Sequence, residues 1–292
     1  MEHPLPSSDP AALLAAVLQS NETTGNPRLK EILAGVIRHL HAFAIELDLT
    51  PEELQVGLDF LVEVGRATGT AKHEGILLAD ILGLATLVQL RSARHAVEAG
   101  GTEPALVGPF WRAKQPLRAN GSCISSDDTP GPRLSVRGRV TDLSGRPIRG
   151  ARVETWQASP KGLYENQDET QQDMNLRGRF ETDGEGRFWF KSVRPAGYPV
   201  PIDGPCGKLL AAQGRKVMRP AHLHFIAVAE GFKVLATQFF DRDDPNAYED
   251  VVFGAVGSLV RQFQPDGDGG FVLDIDLKLE PGATRLPHCP LP

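Results

Sequence analysis

The sequence predicts an α+β protein, with a helical N-terminal region over residues 1–104 followed by an antiparallel β-sandwich over residues 105–292. Two observations carry this. Apolar residues recur at three-to-four spacing through the first hundred residues; after Gly101 they alternate with polar ones in short runs separated by Gly and Pro turns. With 292 residues, 41% of them hydrophobic, the chain can bury an ample core as one large domain or two moderate ones.

Taken in order, Asn26 before Pro27 marks a helix start, and Leu29, Ile32, Leu33, Val36, Ile37, Leu40, Phe43 and Leu47 follow at helical spacing. Thr50, Pro51 and Glu53 form a capping-box start for a second helix carrying Leu54, Leu58, Leu61 and Val64. A third helix is predicted over 74–99, stopped by Gly100 and Gly101. Its first half is apolar nearly all round, which implies burial inside the chain or against another copy of it. In the second half Leu134, Val136, Gly138 and Val140 alternate with polar residues, and the turn DLSGRP leads into the strand ARVETWQA. GRFETDGEGRFWF reads as a hairpin turning at 183–186, while VLATQFF and the alternating Phe271, Leu273, Ile275 and Leu277 supply later strands. Both ends, including the tail after about Glu280, are expected to be loosely attached.

Composition narrows the classes of function. A net charge of −6 without a long basic run argues against nucleic acid as a main partner and leaves a small molecule or another protein. Cys123, Cys206 and Cys289 have no CxxC spacing and cannot all pair, which suggests reduced thiols in a cytoplasmic protein. The opening MEHPLPSSDP lacks the basic start and apolar core of a secretory signal. The most apolar run, residues 76–90, is too short to span a bilayer and contains Asp80 and Gln89.

One motif raises the question of metal binding. In RPAHLHF, residues 219–225, strand alternation puts His222 and His224 on one face and Leu223 and Phe225 on the other. His39 and His41 have the same spacing in a helical pattern, where residues two apart do not face each other. Spacing alone therefore leaves open whether His222 and His224 are ligands or ordinary satisfied histidines. Two of the three tyrosines, Tyr164 in KGLYENQD and Tyr198 in RPAGYPVPIDGP, lie in loops between the strands. Each can be read as a packed ring with a bonded hydroxyl. Together with the histidines they could make an N₂O₂ set, and phenolate oxygen is a hard anionic donor matched to Fe(III) rather than zinc.

These segments resemble the intradiol ring-cleavage dioxygenases, which act on catechols. The resemblance spans nearly the whole chain and rests on LVGPFW, RGRVTDLSGRPIRGARVETWQA, GLYENQ, RGRFETDGEGRFWF, GYPVPIDGPCG, RPAHLHF and ATQFFDRDD. It implies a helical region that forms a homodimer, at whose interface the family allows a bound lipid, and a catalytic β-sandwich holding non-haem Fe(III). Carried over residue by residue, Tyr164, Tyr198, His222 and His224 become the iron ligands, with Arg219 and Gln238 beside them. By this analogy Tyr198 accepts a substrate proton, the other three ligands keep the metal in place, and Arg219 stabilises carbanion character on the ring. The substrate would lie among Leu77, Asp80, Val107, Gly108, Pro109, Phe110, Val200, Pro201 and Arg219.

ILLADILG, VGPF and YPVPIDGP look like the hydroxyquinol branch, although the PCG that follows departs from it. That branch implies cleavage of 1,2,4-trihydroxybenzene with O2 to 3-hydroxy-cis,cis-muconate or maleylacetate; catechol or chlorocatechol cleavage to cis,cis-muconates is the alternative. Asp80 stands alone in an apolar helix, since Thr86 and Gln89 are too scattered to make a polar face with it. Its carboxylate either bonds a backbone group or an arginine, or meets the additional ring hydroxyl. Two rival readings use the same residues. One is a non-catalytic sandwich that stacks a small aromatic or carbohydrate on the tyrosines and Trp156. The other is a zinc hydrolase, for which the chain offers no HExxH and no carboxylate at a matching position near HLH.

Overall fold

The computed structural model describes residues 8–69 and 73–287. They form two compact units that divide between Glu63 and Val64. The first holds helix α1 (Pro10–Ser20), helix α2 (Pro27–Glu46) and most of helix α3 (Pro51–Ala67). Asn26 caps α2, its side-chain oxygen accepting from the backbone N–H groups of Arg28 and Leu29 at 3.0 and 3.1 Å. At the start of α3 the Thr50 hydroxyl accepts from the Glu53 N–H at 3.2 Å, and the Glu53 carboxylate accepts from the Thr50 N–H at 2.9 Å. Both helices form where the periodicity places them. Leu29, Ile32, Leu33, Val36, Leu40, Phe43 and Leu47, with Leu54, Leu58 and Leu61 of α3, stay exposed in the single chain.

The second unit contains helix α4 (Glu74–Ile81) and helix α5 (Leu84–Glu98), which group with the strands rather than with α1 and α2. The sequence predicts one helix here and the structure breaks it. Gly83 takes a left-handed φ of 70°, and the two helices are bent by 70° at that point. Only Glu74 and Ile81 of α4 are fully buried, and Ile76 is exposed, so a single chain covers this apolar stretch only in part. No single helix among the described residues is long and apolar enough to cross a membrane.

The strands are β1 (Arg133–Asp142), β2 (Arg152–Gln157), β3 (Arg177–Glu181), β4 (Arg187–Val193), β5 (Tyr198–Pro199), β6 (Met218–Arg219), β7 (His222–Val228), β8 (Leu235–Asp241), β9 (Val260–Arg261), β10 (Gln264–Pro265) and β11 (Phe271–Leu279); helix α6 (Pro205–Ala212) lies between β5 and β6. They form one sheet in the order β10-β11-β1-β4, a second in the order β3-β2-β7-β8-β9, and a small ribbon of β5 and β6. Val136, Phe188, Phe190, Leu273 and Leu277 from the first sheet meet Val153, Phe180, Leu223, Phe225 and Phe239 from the second in one buried core. Gly138 is the gap in the apolar alternation of β1 because a Cβ there would stand 2.1 Å from the Phe188 ring.

Three expectations change. The sandwich is mixed, not wholly antiparallel, because β1 runs parallel to β11 and β8 parallel to β9. These partners are joined by long connections, which permit a parallel pairing that a tight hairpin forbids. Second, β3 and β4 do not form a hairpin: β3 pairs with β2, β4 pairs with β1, and the 183–186 turn carries the chain from one sheet to the other. Phe180 and Phe190 still stack, at 5.1 Å, from opposite sides of the core. Third, the C-terminal segment is tied down as far as Thr284, whose hydroxyl donates to the carbonyls of Ala229 and Phe232 at 3.0 Å each. Residues 1–7 and 288–292 lie outside the described residues, and Cys289 with them. Cys123 and Cys206 are free thiols.

Candidate metal centre and active site

Strand β7 turns Leu223, Phe225 and Ala227 into the core and sends His222, His224 and Ile226 to the outer face of the five-stranded sheet. On that face the register aligns Arg177 of β3, Trp156 of β2, His224 of β7 and Gln238 of β8 as one row across four strands. Trp156 is fully buried with its ring against His224, the centroids 4.6 Å apart and the planes at 9°. The ribbon of β5 and β6 pairs Tyr198 with Arg219 and leads directly into β7. Tyr164 comes from the loop after β2, where its backbone N–H donates to the Gln167 side chain at 3.0 Å. Phe110 stacks on its ring with centroids 4.3 Å apart.

Four donor atoms converge as a result. The Tyr198 and Tyr164 hydroxyls are 3.3 Å apart, the Tyr164 hydroxyl is 3.0 Å from His224 Nε2, and that nitrogen is 3.1 Å from His222 Nε2. Donors about 2 Å from one ion and at right angles to one another lie ~3 Å apart. His222 Nδ1 is 2.6 Å from the Pro220 carbonyl, which only accepts, so Nδ1 carries the proton and Nε2 presents a lone pair. Burial, reinforced by the Arg219 charge, pushes His222 down to about 3, and burial with the neighbouring His222 holds His224 well below the ordinary histidine range. Both imidazoles are therefore neutral donors. Burial also raises Tyr164 well above the ordinary phenol value, with Tyr198 adding to it. A cation bound among these oxygens reverses that preference. Among the described residues no three His, Cys, Asp or Glu side chains gather as a ligand set. The donors at this place are two imidazoles and two phenols, and that chemistry fits a hard trivalent ion.

Arg219 is buried beside them. Its Nη2 donates to Gln238 Oε1 at 2.8 Å, and its Nε and Nη2 donate to the two oxygens of Asp250 at 3.1 Å each. Burial works against the charge, yet Asp250 and the two tyrosines hold the guanidinium above its ordinary value. Asp250 is in turn fixed by the Gly254 N–H at 3.0 Å. Gln238 donates to the Leu106 carbonyl, which ties the row to the segment before Val107. Asp80 is half-buried on α4, and among the described residues its carboxylate has no hydrogen-bond or ion-pair partner. Burial raises it to about 6, partly offset by Arg219 and assisted by Asp250.

Residues 106–281 match the dioxygenase family model, and residues 26–100 match the model for the N terminus of catechol dioxygenases. The chain belongs to the intradiol ring-cleavage dioxygenases. It is 45% identical over 240 residues to hydroxyquinol 1,2-dioxygenase of Rhizobium sp. (strain MTP-10005), covering 82% of this chain and 80% of that one. It is 40% identical over 269 residues to 6-chlorohydroxyquinol 1,2-dioxygenase of Cupriavidus pinatubonensis, covering 92% and 96%. Among solved structures, hydroxyquinol 1,2-dioxygenase of Pseudomonas putida DLL-E4 matches with a TM-score of 0.87 at 36% identity, covering 94% of this chain and 99% of that one.

In this dioxygenase Tyr164, Tyr198, Arg219, His222, His224 and Gln238 stand together. Around them, Val107 and Phe110 pack against the cluster of Trp111, Trp156, Tyr164 and Tyr198. Gly108 has a φ of 73°, and a Cβ there would meet His224 Cε1 at 3.3 Å. Leu77 packs with Val200, Ile81 and Leu106 in a separate apolar cluster, while Pro109 and Pro201 are exposed. The bonded partners expected for Asp80 on the structural reading are missing among the described residues. Trp156 is sealed against His224, which removes it as an open stacking surface. Sequence reasoning missed Asp250, which lies 31 positions from Arg219 in a segment, EDVVFG, with no motif to announce it.

Proposed function

We propose that the chain is a hydroxyquinol 1,2-dioxygenase, which opens the ring of 1,2,4-trihydroxybenzene between adjacent hydroxyls with O2 to give 3-hydroxy-cis,cis-muconate, a tautomer of maleylacetate. Tyr164, Tyr198, His222 and His224 would hold the iron. Bound there, Fe(III) supplies Lewis acidity that favours ionised oxygens on the phenols and on the substrate. Tyr198 Oη takes a proton from a substrate hydroxyl. Arg219, kept charged by Asp250 and aimed by Gln238, stabilises negative charge as it develops on the ring. Phe110, Val107 and Leu77 supply apolar wall, and Gly108 lets the backbone approach His224 closely.

The observation that carries the choice of substrate is the half-buried, unpartnered carboxylate of Asp80 in an apolar helix beside the field of Arg219. A substrate hydroxyl that donates to it satisfies the group, whereas catechol leaves it without a partner. Such a difference is worth about 1 to 3 kcal/mol, or roughly 5- to 150-fold. The names of the similar proteins support the same substrate. The test is kcat/KM for hydroxyquinol, catechol and 4-chlorocatechol in the wild type and in Asp80→Ala. Hydroxyquinol should lead in the wild type and lose its lead in the variant. Catechol equal to or better than hydroxyquinol in the wild type would contradict the assignment, and equal losses on all three in the variant would leave Asp80 structural.

A further inference from the structure

We propose that Arg177 is a positioning residue for the Tyr164 phenol, fixing it from two sides at once through Glu165 and Phe110. This rests on the reading of Tyr164 as an iron ligand. Arg177 heads the cross-strand row that contains Trp156 and His224, on the face of the sheet opposite to the core residue Phe180. Its side chain is completely buried. Nε donates to Glu165 Oε1 at 2.7 Å and Nη2 lies 2.7 Å from Glu165 Oε2, while Nη1 donates to the Phe110 carbonyl at 2.6 Å. Glu165 is the residue after Tyr164, and the Phe110 ring is the one stacked on the Tyr164 ring. One guanidinium therefore ties the side chain of the residue next to the phenol to the backbone of the residue whose ring lies on it. Arg112, two residues after Phe110, adds a second hydrogen bond to Glu165 Oε1 at 2.9 Å.

Stability gives little reason to bury this pair. An ion pair taken out of water is often no better than apolar side chains of the same volume. What it does supply is a planar fork that hydrogen-bonds a carboxylate and a carbonyl in two fixed directions at once, which the single ammonium of a lysine cannot reproduce. The donor atoms it aligns are close enough to need that control, with Tyr164 Oη 3.0 Å from His224 Nε2 and 3.3 Å from Tyr198 Oη. Partners that orient a ligand without touching the metal typically change metal affinity or activity about 10- to 100-fold when removed.

The test compares Arg177→Lys and Glu165→Gln with Phe180→Leu, a core variant on the same strand that faces the other sheet. All are full-length and iron-loaded. In the two clamp variants the visible phenolate-to-iron band should shift, and iron affinity, measured by competition with a chelator, should fall about 10-fold or more. Phe180→Leu should lower the melting temperature without moving the band. Glu165→Gln keeps an oxygen for Arg177 Nε, so it carries the test if Arg177→Lys does not accumulate as folded protein. A band and an iron affinity equal to wild type in the folded clamp variants, or the same band shift in Phe180→Leu, would overturn the proposal. A wild type with no visible band after iron loading would instead overturn the ligand reading of Tyr164, and the clamp with it.

Discussion

A histidine that binds a metal has to offer a lone pair at working pH, and burial favours the neutral form of both His222 and His224. Asp80 shows the same desolvation acting on an acid. Its carboxyl is raised to about 6 from an ordinary 3.8, so the folded state holds its proton more tightly than the unfolded state does. The stability this contributes is complete below pH 4 and is lost as pH rises through 6, amounting to at most about 3 kcal/mol. Asp80→Asn should therefore raise the urea midpoint at pH 7.5 and leave it nearly unchanged at pH 4; an equal change at both values would contradict the burial account. In the sequence, strand alternation put His222 and His224 on one face and two of three tyrosines in loops, which allowed an N₂O₂ set without choosing it over ordinary packed residues; only the family resemblance made that choice. Asp250 and Arg177 were not legible there, since an ion-pair partner brought close by the fold leaves no periodic trace.

At the scale of elements, alternation told which side chains face the core but not which strand pairs with which. The residues 183–186 make the same turn whether it joins two neighbours in a sheet or two sheets, and only the pairing of β3 with β2 and β4 with β1 decides. The row from Arg177 to Gln238 could not be read without that register. The helix predicted over 74–99 failed for a related reason: its apolar residues continue through the break, and a single glycine reverses φ in the middle of them. Gly83→Ala should cost about 1 to 2 kcal/mol, because a left-handed residue with a Cβ is strained and that Cβ would come 3.2 Å from the Phe253 ring. Urea unfolding checks this, and an unchanged or higher midpoint would mean the break between α4 and α5 is not held by Gly83.

For the whole molecule, the exposed apolar side chains of α2 and α3 are a feature that a single chain leaves unexplained. We expect a homodimer that covers them, seen by sedimentation at micromolar concentration; a stable monomer there would contradict it. We propose that two phenols and two imidazoles hold ferric iron to which hydroxyquinol binds. The most direct test is the visible spectrum of the iron-loaded protein, recorded before and after anaerobic addition of hydroxyquinol, in the wild type, Tyr164→Phe and Tyr198→Phe. A phenolate-to-iron band should appear that changes when hydroxyquinol is added and that shifts or weakens in each variant, with little loss of fold because the ring volume is kept. A spectrum unchanged in both variants would contradict the proposal.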